Sequence, residues 1–343
     1  MFKLFRMDSE ITNRCNAACA LCPRTGTYPG GVSEELHDCG TMDLSMEHIE
    51  EVLYWANLQK WSYCGNFGDP FVHPKVFEIA EFMESRGITH QTFDTNGSIR
   101  TPDWWREFGK IPGVKVNFAL DGLSDTNHIY RVNTNFEKII ENALAFMEGG
   151  GKAVWVMIVF EHNQHQVEQA KEMAKKLGFN QFFVKKTARR FDNTKQTAST
   201  TWKKSSKSDP IKRETHATTE KKYQADIISK GLVEQPISCK AEHQQKMYIT
   251  PKGEILPCCH VHFDVFKMTH NHKEILKNDR SYFTSWLEEN NIKYELDKYN
   301  IFEIMKSYND NYHTIEKRWM ERTLKTCNKK CGSNQRNDVI EIN

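Results

Sequence analysis

Apolar and polar positions along the first 190 residues follow two alternating periods. The run VWVMIVF at residues 154–160 is apolar throughout, as is typical of a strand covered on both faces. In SMEHIEEVLYWANL, by contrast, apolar residues recur at helical spacing from Met46 to Leu53, which predicts an amphipathic helix with Ser45 as its N-cap. This part of the chain is therefore predicted to alternate strands with helices.

About six such strand-then-helix units fit into residues 1–190. Alternating strands and helices imply a parallel sheet with right-handed crossovers. Six units form either an open sheet or an incomplete barrel, and we expect an α/β fold with a partial (β/α)6 TIM-like barrel. In barrels of this kind the chemistry lies in the loops after the carboxyl ends of the strands. The first of these loops follows a strand predicted within residues 5–12.

Two further regions follow the barrel segment. Residues 191–235 are rich in Ser, Thr and Lys and poor in apolar residues, so we predict a solvated linker, although its lysines could contact an acidic partner. Residues 236–343 are predicted to form a second domain. It begins with a β-hairpin, MYIT–PKG–EIL, and continues with helical stretches such as SYFTSWLEE and TIEKRWMERTLK.

Composition narrows the class of protein. The chain is 38% hydrophobic and 27% charged with a net charge of +2, so we expect a soluble globular protein. This near-balance of charge gives no general argument for a membrane or nucleic-acid partner. No apolar run approaches the roughly 18 residues of a membrane span, and the apolar part of MFKLFRMDSE is too short for a secretory signal. We therefore expect a cytoplasmic location, where ten clustered cysteines indicate metal or iron–sulfur ligation instead of disulfides.

Three cysteines share the loop after the first predicted strand. In CNAACALC, Cys15, Cys19 and Cys22 are separated by three and then two residues. A structural zinc ion usually takes four ligands. Three thiolates suit a [4Fe–4S] cluster that keeps one iron open for an outside ligand. There are two alternatives. One is a zinc site that a distant histidine completes, and the other is that the three thiols have unrelated roles.

The spacing CxxxCxxC resembles the signature of the radical S-adenosylmethionine (SAM) superfamily. Other segments resemble further landmarks of that family in the same order: GNFGDP (65–70), DTNG (94–97), FALDG (118–122) and YR (130–131). Each follows a predicted strand or lies shortly after one. The resemblance covers residues 5–190 and implies the partial barrel already expected from the pattern.

The resemblance also implies roles for individual residues. Cys15, Cys19 and Cys22 would ligate a [4Fe–4S] cluster whose open iron is chelated by SAM. The residues that would contact SAM are Leu21 near the adenine, Phe67, Gly68 and Asp69 at the amino group, Arg131 at the carboxylate, and Thr95, Asn96 and Asp121 in the pocket or near the ribose. Leu21, Asp69 and Ala119 stand where family members often have an aromatic residue, Glu and Ser.

A second group of cysteines lies near the end of the chain. Cys239 is followed by thirteen residues, Gly253, four residues and Cys258, and Cys327 precedes Cys331 by four positions. This resembles the SPASM and twitch domains, and the count of four implies one auxiliary [4Fe–4S] cluster with all four cysteines as ligands. Cys259 is left out because neighbouring residues on a strand point in opposite directions. Four thiolates holding zinc is the alternative. His260 and His262 could bind metal or substrate, but we expect surface histidines.

The resemblance implies reductive cleavage of SAM to a 5′-deoxyadenosyl radical, which abstracts hydrogen from a substrate. We expect a peptide or protein substrate, an oxidation assisted by the auxiliary cluster, and an electron donor such as flavodoxin or ferredoxin. Two alternatives remain. One is a radical SAM enzyme that modifies a nucleotide or RNA through the basic linker. The other is a metal-binding protein without catalysis.

Overall fold

The structure is a computed structural model. It describes residues 4–19, 22–25, 40–55, 58–186, 239–262 and 283–321, and also residues 237, 265, 324, 327, 331 and 339–341. Leu21 and the predicted linker at residues 191–235 lie outside the described residues.

Six parallel strands form the centre of one sheet in the order of the chain, which confirms the predicted α/β fold. Each of the five crossovers between them carries a helix, as the alternating pattern predicts. The six strands are β1 (Arg6–Ser9), β2 (Lys60–Tyr63), β3 (His90–Thr95), β4 (Val114–Ala119), β5 (Lys152–Val159) and β6 (Gln181–Lys186).

Local chemistry marks some of the ends of the helices between these strands. The Thr101 hydroxyl accepts a hydrogen bond from the Trp104 backbone N–H at the start of α3, and Gly178 adopts a left-handed conformation (φ 86°) after α6. The helices are α1 (Met46–Trp55), α2 (Val76–Ser85), α3 (Pro102–Phe108), α4 (Asn127–Tyr130), α5 (Phe136–Glu148) and α6 (Val167–Leu177).

The predicted C-terminal hairpin is present, and it extends the same sheet. Strand β7 (Lys246–Ile249) pairs parallel with β1, and β8 (Ile255–Leu256) pairs antiparallel with β7. At the other edge, β9 (Val339–Glu341) pairs antiparallel with β6. Within the described residues the sheet therefore has nine strands, in the order β8-β7-β1-β2-β3-β4-β5-β6-β9. The remaining helices are α7 (Lys240–His243), α8 (Phe283–Glu289) and α9 (Ile301–Met320).

The two faces of the central strands differ in chemistry. One face packs against the helices and is rich in aromatic rings: Tyr63 stacks on Phe93 with ring centroids 3.9 Å apart. Successive side chains of a strand alternate between faces, so the other face carries polar residues. There Lys246 Nζ lies 2.6 Å from Asp8 Oδ2, and Asn117 donates to Asp94 at 2.7 Å. Charged and hydrogen-bonding side chains thus line one face of the sheet.

None of the helices in the described ranges is both long enough and apolar enough to cross a membrane.

Candidate active site

The three cysteines after β1 share one small cluster of buried side chains. Cys19 is buried with Tyr130 and Phe160, and Cys15 and Cys22 pack against the same group. The loop is fixed locally, because the Cys22 backbone N–H donates to the Cys19 carbonyl at 3.1 Å. The structure therefore brings together the three thiols that the sequence singled out.

The surroundings of Cys15 and Cys19 favour the neutral thiol form of these two residues in the absence of a metal. Burial raises the pKa of Cys15 to about 12, and the nearby Asp69 carboxylate contributes in the same direction. Burial also raises the pKa of Cys19, although the Arg131 guanidinium opposes that rise. A metal group would supply the positive charge that makes these thiols thiolates, and its binding would release protons.

The number of thiols suits a cluster that keeps one iron open for an outside ligand. Within the described parts of the chain, no group of three or more His, Cys, Asp or Glu side chains could hold one metal ion. In a [4Fe–4S] cluster each thiolate binds a different iron, so the three sulfurs do not need to converge on one point. Cys15, Cys19 and Cys22 are suited to that arrangement.

A buried ion pair lies beside the thiols. Arg131 Nε donates to Asp121 Oδ2 at 2.6 Å, and the Asp121 side chain is fully buried. Burial opposes the charge of Arg131, but Asp121 and Cys19 outweigh it and raise the pKa of the guanidinium above its ordinary value. Arg131 Nη1 also lies 3.9 Å from Cys19 Sγ. Asp121 thereby holds a permanent cation next to the cysteine loop.

Asp69 joins the loops that follow β2 and β3. Its carboxylate accepts hydrogen bonds from the Thr95 hydroxyl at 2.9 Å and from the Asn96 backbone and side-chain nitrogens at 2.8 and 2.7 Å. It also accepts from the Phe71 backbone N–H at 3.0 Å. Asn96 Nδ2 lies 3.7 Å from Cys15 Sγ. The predicted residues Asp69, Thr95 and Asn96 therefore meet beside the cysteine loop.

Gly68 lies where the chain after β2 crosses the chain after β1. A Cβ atom on Gly68 would stand 1.7 Å from the Thr12 carbonyl oxygen, so no other residue fits there without backbone movement. The next residue, Asp69, donates its backbone N–H to the Arg14 carbonyl at 2.8 Å. The GNFGDP segment and the cysteine loop are thus packed backbone to backbone.

Glu10 is a site residue that the sequence reasoning missed. Its Oε1 accepts the backbone N–H groups of Phe67 at 2.6 Å and Gly68 at 2.7 Å, and its Oε2 accepts the Tyr248 hydroxyl at 2.9 Å. Glu10 is buried, so each of these bonds lies away from bulk water. The only sequence signal was a carboxylate immediately after a strand, which is too common to single out.

His262 is buried, and the expectation of a surface histidine was wrong. Its Nδ1 lies 3.1 Å from the Tyr248 hydroxyl and 3.3 Å from Glu10 Oε2, and its ring meets Phe67 edge to face. Asn66 Nδ2 donates to the Cys259 carbonyl at 3.0 Å. These contacts connect the GNFGDP segment with the chain that follows Cys258.

The C-terminal cysteines form a second group. They border one cavity, and apart from His260 its other lining side chains are apolar or aromatic. Burial raises the pKa of Cys239, and Cys331 adds to that rise. Burial also raises the pKa of Cys258, where Cys327 is among the groups that add to the rise. The cysteines that line the cavity are the four predicted from spacing: Cys239, Cys258, Cys327 and Cys331.

Cys259 does not border this cavity, but the reason given from the sequence was wrong. Residues 259–262 are helical, not part of a strand. Burial raises the pKa of Cys259 to about 11, and the charged groups acting on it are Lys246, Asp8 and Glu10 on the polar face of the sheet. The adjacent thiols of Cys258 and Cys259 therefore belong to different surroundings.

Fold and site together define a class. A parallel α/β sheet carries a loop with three partly or fully buried thiols after its first strand, with an arginine and a set of polar loops around it. The profile of the family described as "Radical SAM superfamily" matches residues 9–180, half of the chain. The chain belongs to the radical SAM superfamily, and it is an enzyme. Membership implies SAM and a [4Fe–4S] cluster as its cofactors.

Two curated relatives support this family. The chain is 28% identical over 192 residues to an AdoMet-dependent heme synthase of Methanosarcina barkeri, covering 52% of this chain and 50% of that protein. It is 27% identical over 120 residues to a tungsten-containing aldehyde ferredoxin oxidoreductase cofactor-modifying protein of Pyrococcus furiosus, covering 35% of this chain. The matched region spans about half of the length of the heme synthase and 32% of the length of the cofactor-modifying protein.

Solved structures show the same fold. SuiB of Streptococcus suis bound to S-adenosylmethionine is 14% identical, with a TM-score of 0.50 over 82% of this chain and 68% of that chain. SuiB bound to the precursor peptide SuiA is 15% identical, with a TM-score of 0.51 over 75% of this chain and 60% of that chain. At these identities the likeness concerns the fold alone.

Proposed function

We propose that this radical SAM enzyme oxidatively modifies a peptide or protein and that it carries one auxiliary [4Fe–4S] cluster of the twitch type. The observation that carries this proposal is the cavity bordered by Cys239, Cys258, Cys327 and Cys331. Four thiolates around one cavity satisfy all four irons of such a cluster. The proposed organisation keeps the predicted boundaries, with a barrel at 1–190, a linker at 191–235 and an auxiliary-cluster domain at 236–343.

At the first site, Cys15, Cys19 and Cys22 would hold the cluster that binds SAM. When bound, the cluster and SAM supply a 5′-deoxyadenosyl radical that abstracts hydrogen from the substrate. Arg131 would bind the SAM carboxylate, a task suited to a guanidinium already oriented by Asp121.

The loops around this site would bind the rest of SAM. The backbone carbonyls of the GNFGDP segment would accept from its ammonium group, and the buried carboxylate of Asp69 would add negative charge nearby. Asp69 also holds Thr95 and Asn96, so these residues would shape the pocket around SAM. Leu21 stays a prediction for the adenine.

At the second site, four protein ligands would leave no iron open for a substrate. A cluster of this kind is suited to taking up an electron, so the substrate radical would be oxidised instead of being quenched by a hydrogen atom. The network of Glu10, Tyr248 and His262 joins the GNFGDP segment, at the first site, to the helical residues after Cys258, at the second site. This network supports a structural connection between the two sites. The electron donor for the first cluster would be a flavodoxin or ferredoxin.

Support for a peptide substrate comes from the fold. SuiB, which shares this fold, has been solved with a precursor peptide bound. The polar face of the sheet, with Asp8, Lys246 and Asp94, offers charges and hydrogen-bonding groups that suit the backbone and side chains of a peptide.

The first test is anaerobic reconstitution of the wild type and a Cys15/Cys19/Cys22→Ala triple variant. We expect about eight irons in the wild type and about four in the variant, since each cluster holds four. With dithionite and SAM, only the wild type should form 5′-deoxyadenosine. Zinc in place of iron at the second site would overturn the auxiliary cluster. A wild type with both clusters that never cleaves SAM would refute the proposed catalysis.

The substrate class is tested by hydrogen transfer. The reconstituted enzyme is incubated with SAM and either a perdeuterated peptide digest or a perdeuterated nucleotide and RNA pool. We expect deuterium in 5′-deoxyadenosine from the peptides only, because the radical takes hydrogen directly from its substrate. Deuterium from the nucleotide pool alone would favour a nucleotide or RNA substrate and contradict the peptide proposal.

A further inference from the structure

Trp319 borders the cavity that the four C-terminal cysteines line. It lies in the last turn of α9, is 7% exposed, and meets Tyr312 edge to face with ring centroids 6.0 Å apart. Besides the four cysteines and His260, the cavity wall is apolar, with Ile315, Val261 and Phe283 among the lining residues. The indole therefore lies in a dry environment next to thiol groups.

The indole N–H of Trp319 is buried and has no hydrogen-bond acceptor among the described residues. An unsatisfied buried donor costs free energy, so folded proteins rarely keep one without a purpose. The other buried tryptophans in the described ranges all donate: Trp61 to Ser9 Oγ at 2.8 Å, Trp105 to the Ile99 carbonyl at 3.0 Å, Trp155 to the Leu120 carbonyl at 3.0 Å and Trp286 to Thr314 Oγ1 at 2.9 Å.

We propose that the Trp319 indole N–H donates a hydrogen bond to a sulfur atom of the auxiliary cluster. The inference rests on the proposed function, because that cluster provides the acceptor. Thiolate and sulfide sulfurs carry negative charge, which makes them acceptors for a donor that finds none among the described residues. Trp319 is in this sense a positioning and tuning residue for the cluster, and it binds no iron itself.

The hydrogen bond has a defined electrochemical consequence. Reduction adds negative charge to the cluster, so a donor to sulfur stabilises the reduced state more than the oxidised state. The bond therefore raises the reduction potential of the auxiliary cluster. A cluster tuned in this direction accepts an electron from a substrate radical more readily, which suits the oxidation proposed above.

The test is the reduction potential of the auxiliary cluster in the full-length holoenzyme with Trp319→Phe. Phenylalanine keeps an aromatic ring against Tyr312 and removes only the donor. EPR-monitored redox titration follows the cluster, and the Cys15/Cys19/Cys22→Ala variant assigns its signal. We expect a lower potential, with the ratio of reduced to oxidised cluster falling roughly tenfold at a fixed solution potential, equivalent to about 59 mV for one electron.

Trp286→Phe is the matched control. Trp286 is another buried indole of the C-terminal region, but it does not border the four-cysteine cavity and its N–H already donates to Thr314. This variant should lose stability and leave the potential unchanged. An unchanged potential in Trp319→Phe, with iron content equal to that of the wild type, would overturn the hydrogen bond alone. A wild type that holds only about four irons would overturn the auxiliary cluster and this proposal with it.

A second measurement covers the case in which Trp319→Phe does not retain iron. The wild type and Trp286→Phe are labelled with [indole-¹⁵N]tryptophan, and the reduced auxiliary cluster is studied by pulsed EPR. A ¹⁵N coupling that persists in Trp286→Phe is expected from an indole nitrogen bonded to cluster sulfur. Absence of any indole ¹⁵N coupling in the wild type would refute the proposal without a variant at position 319.

Discussion

Glu10 holds Phe67 in place: its Oε1 accepts the Phe67 backbone N–H at 2.6 Å from beneath the GNFGDP segment. Glu10→Ala removes the acceptor for this N–H, for that of Gly68 and for the Tyr248 hydroxyl. We expect a loss of about 3 kcal/mol in the free energy of unfolding, since each unsatisfied buried donor costs about 1–3 kcal/mol. The Kd for SAM should rise roughly tenfold as the loop loses its support.

Two further variants make this prediction specific. Glu10→Gln keeps one oxygen acceptor, so its effect on SAM binding should be smaller than that of Glu10→Ala. Asp8→Asn changes the acidic residue two positions earlier, which pairs with Lys246 and Arg6 and not with the SAM loop. It should leave the Kd for SAM unchanged. Calorimetric titration with SAM measures all three, and equal Kd values throughout would contradict a role for Glu10.

Arg131→Lys tests the cation beside the cysteine loop. Lysine is a point charge and cannot hold Asp121 while also presenting a planar fork to the SAM carboxylate. We expect the rate of 5′-deoxyadenosine formation per cluster to fall at least roughly tenfold, equivalent to about 1.4 kcal/mol. Iron content should stay near that of the wild type. Arg106→Lys is the control: Arg106 is a half-buried arginine on α3 that pairs with Glu148, and this variant should retain full activity. Wild-type activity in Arg131→Lys would refute the assigned role.

Cys258 and Cys259 give a comparison between adjacent thiols. Cys258 borders the four-cysteine cavity, whereas Cys259 faces Lys246 and Asp8. Cys258→Ala should therefore hold about four irons after reconstitution, and Cys259→Ala should hold about eight. Iron and sulfide analysis with EPR of the reduced proteins measures the difference. A loss of iron in Cys259→Ala but not in Cys258→Ala would show that the wrong cysteine was assigned.

His162 predicts a dependence of stability on pH. Its ring stacks on Phe160 at 5.4 Å, and neither ring nitrogen has a partner among the described residues. Burial, with the nearby His128 and His165, lowers its pKa from 6.5 to about 4. His162 therefore binds a proton near pH 6.5 in the unfolded chain but only near pH 4 in the folded protein. Stability is complete above pH 6.5 and declines as the pH falls toward 4.

Thermal unfolding of wild type and His162→Gln at pH 7.5 and 5.5 measures this effect. Glutamine does not titrate, so the wild type should lose about 1 kcal/mol more than the variant over this interval, or less where solvent screens the charge. His313→Gln changes an exposed histidine on α9 that is not among the groups acting on His162, and it should keep the pH dependence of the wild type. A parallel decline in all three proteins would contradict the lowered pKa of His162.

Local chemistry made most of the barrel predictable. Apolar periodicity distinguishes strands from helices. Thr101 marks the start of one helix by a hydrogen bond and Gly178 marks the end of another by its backbone conformation, and both effects depend on neighbours in sequence. The cysteine loop could be predicted equally well, because Cys15, Cys19 and Cys22 lie within only eight residues of the sequence. Their shared pocket in the structure follows from that short spacing.

Long-range pairing was not predictable from such patterns. The hairpin was expected from its turn, but nothing local indicates that β7 pairs with β1. Glu10 and His262 become a site only through that pairing, since Tyr248 on β7 joins them. Taken separately, a glutamate after a strand and a histidine after a cysteine carry no signal. Residues grouped within one loop are therefore visible in the sequence, whereas contacts between distant segments are not.

The position of β7 also bears on how the chain folds during synthesis. β1 pairs on one side with β2, about fifty residues later, and on the other with β7, about 240 residues later. Until the ribosome has released β7, the edge of β1 stays open to pairing with other chains. Such distant partners slow folding because the intervening chain must close a large loop first. We therefore expect fragments that stop near residue 190 to aggregate, and the complete barrel to form late.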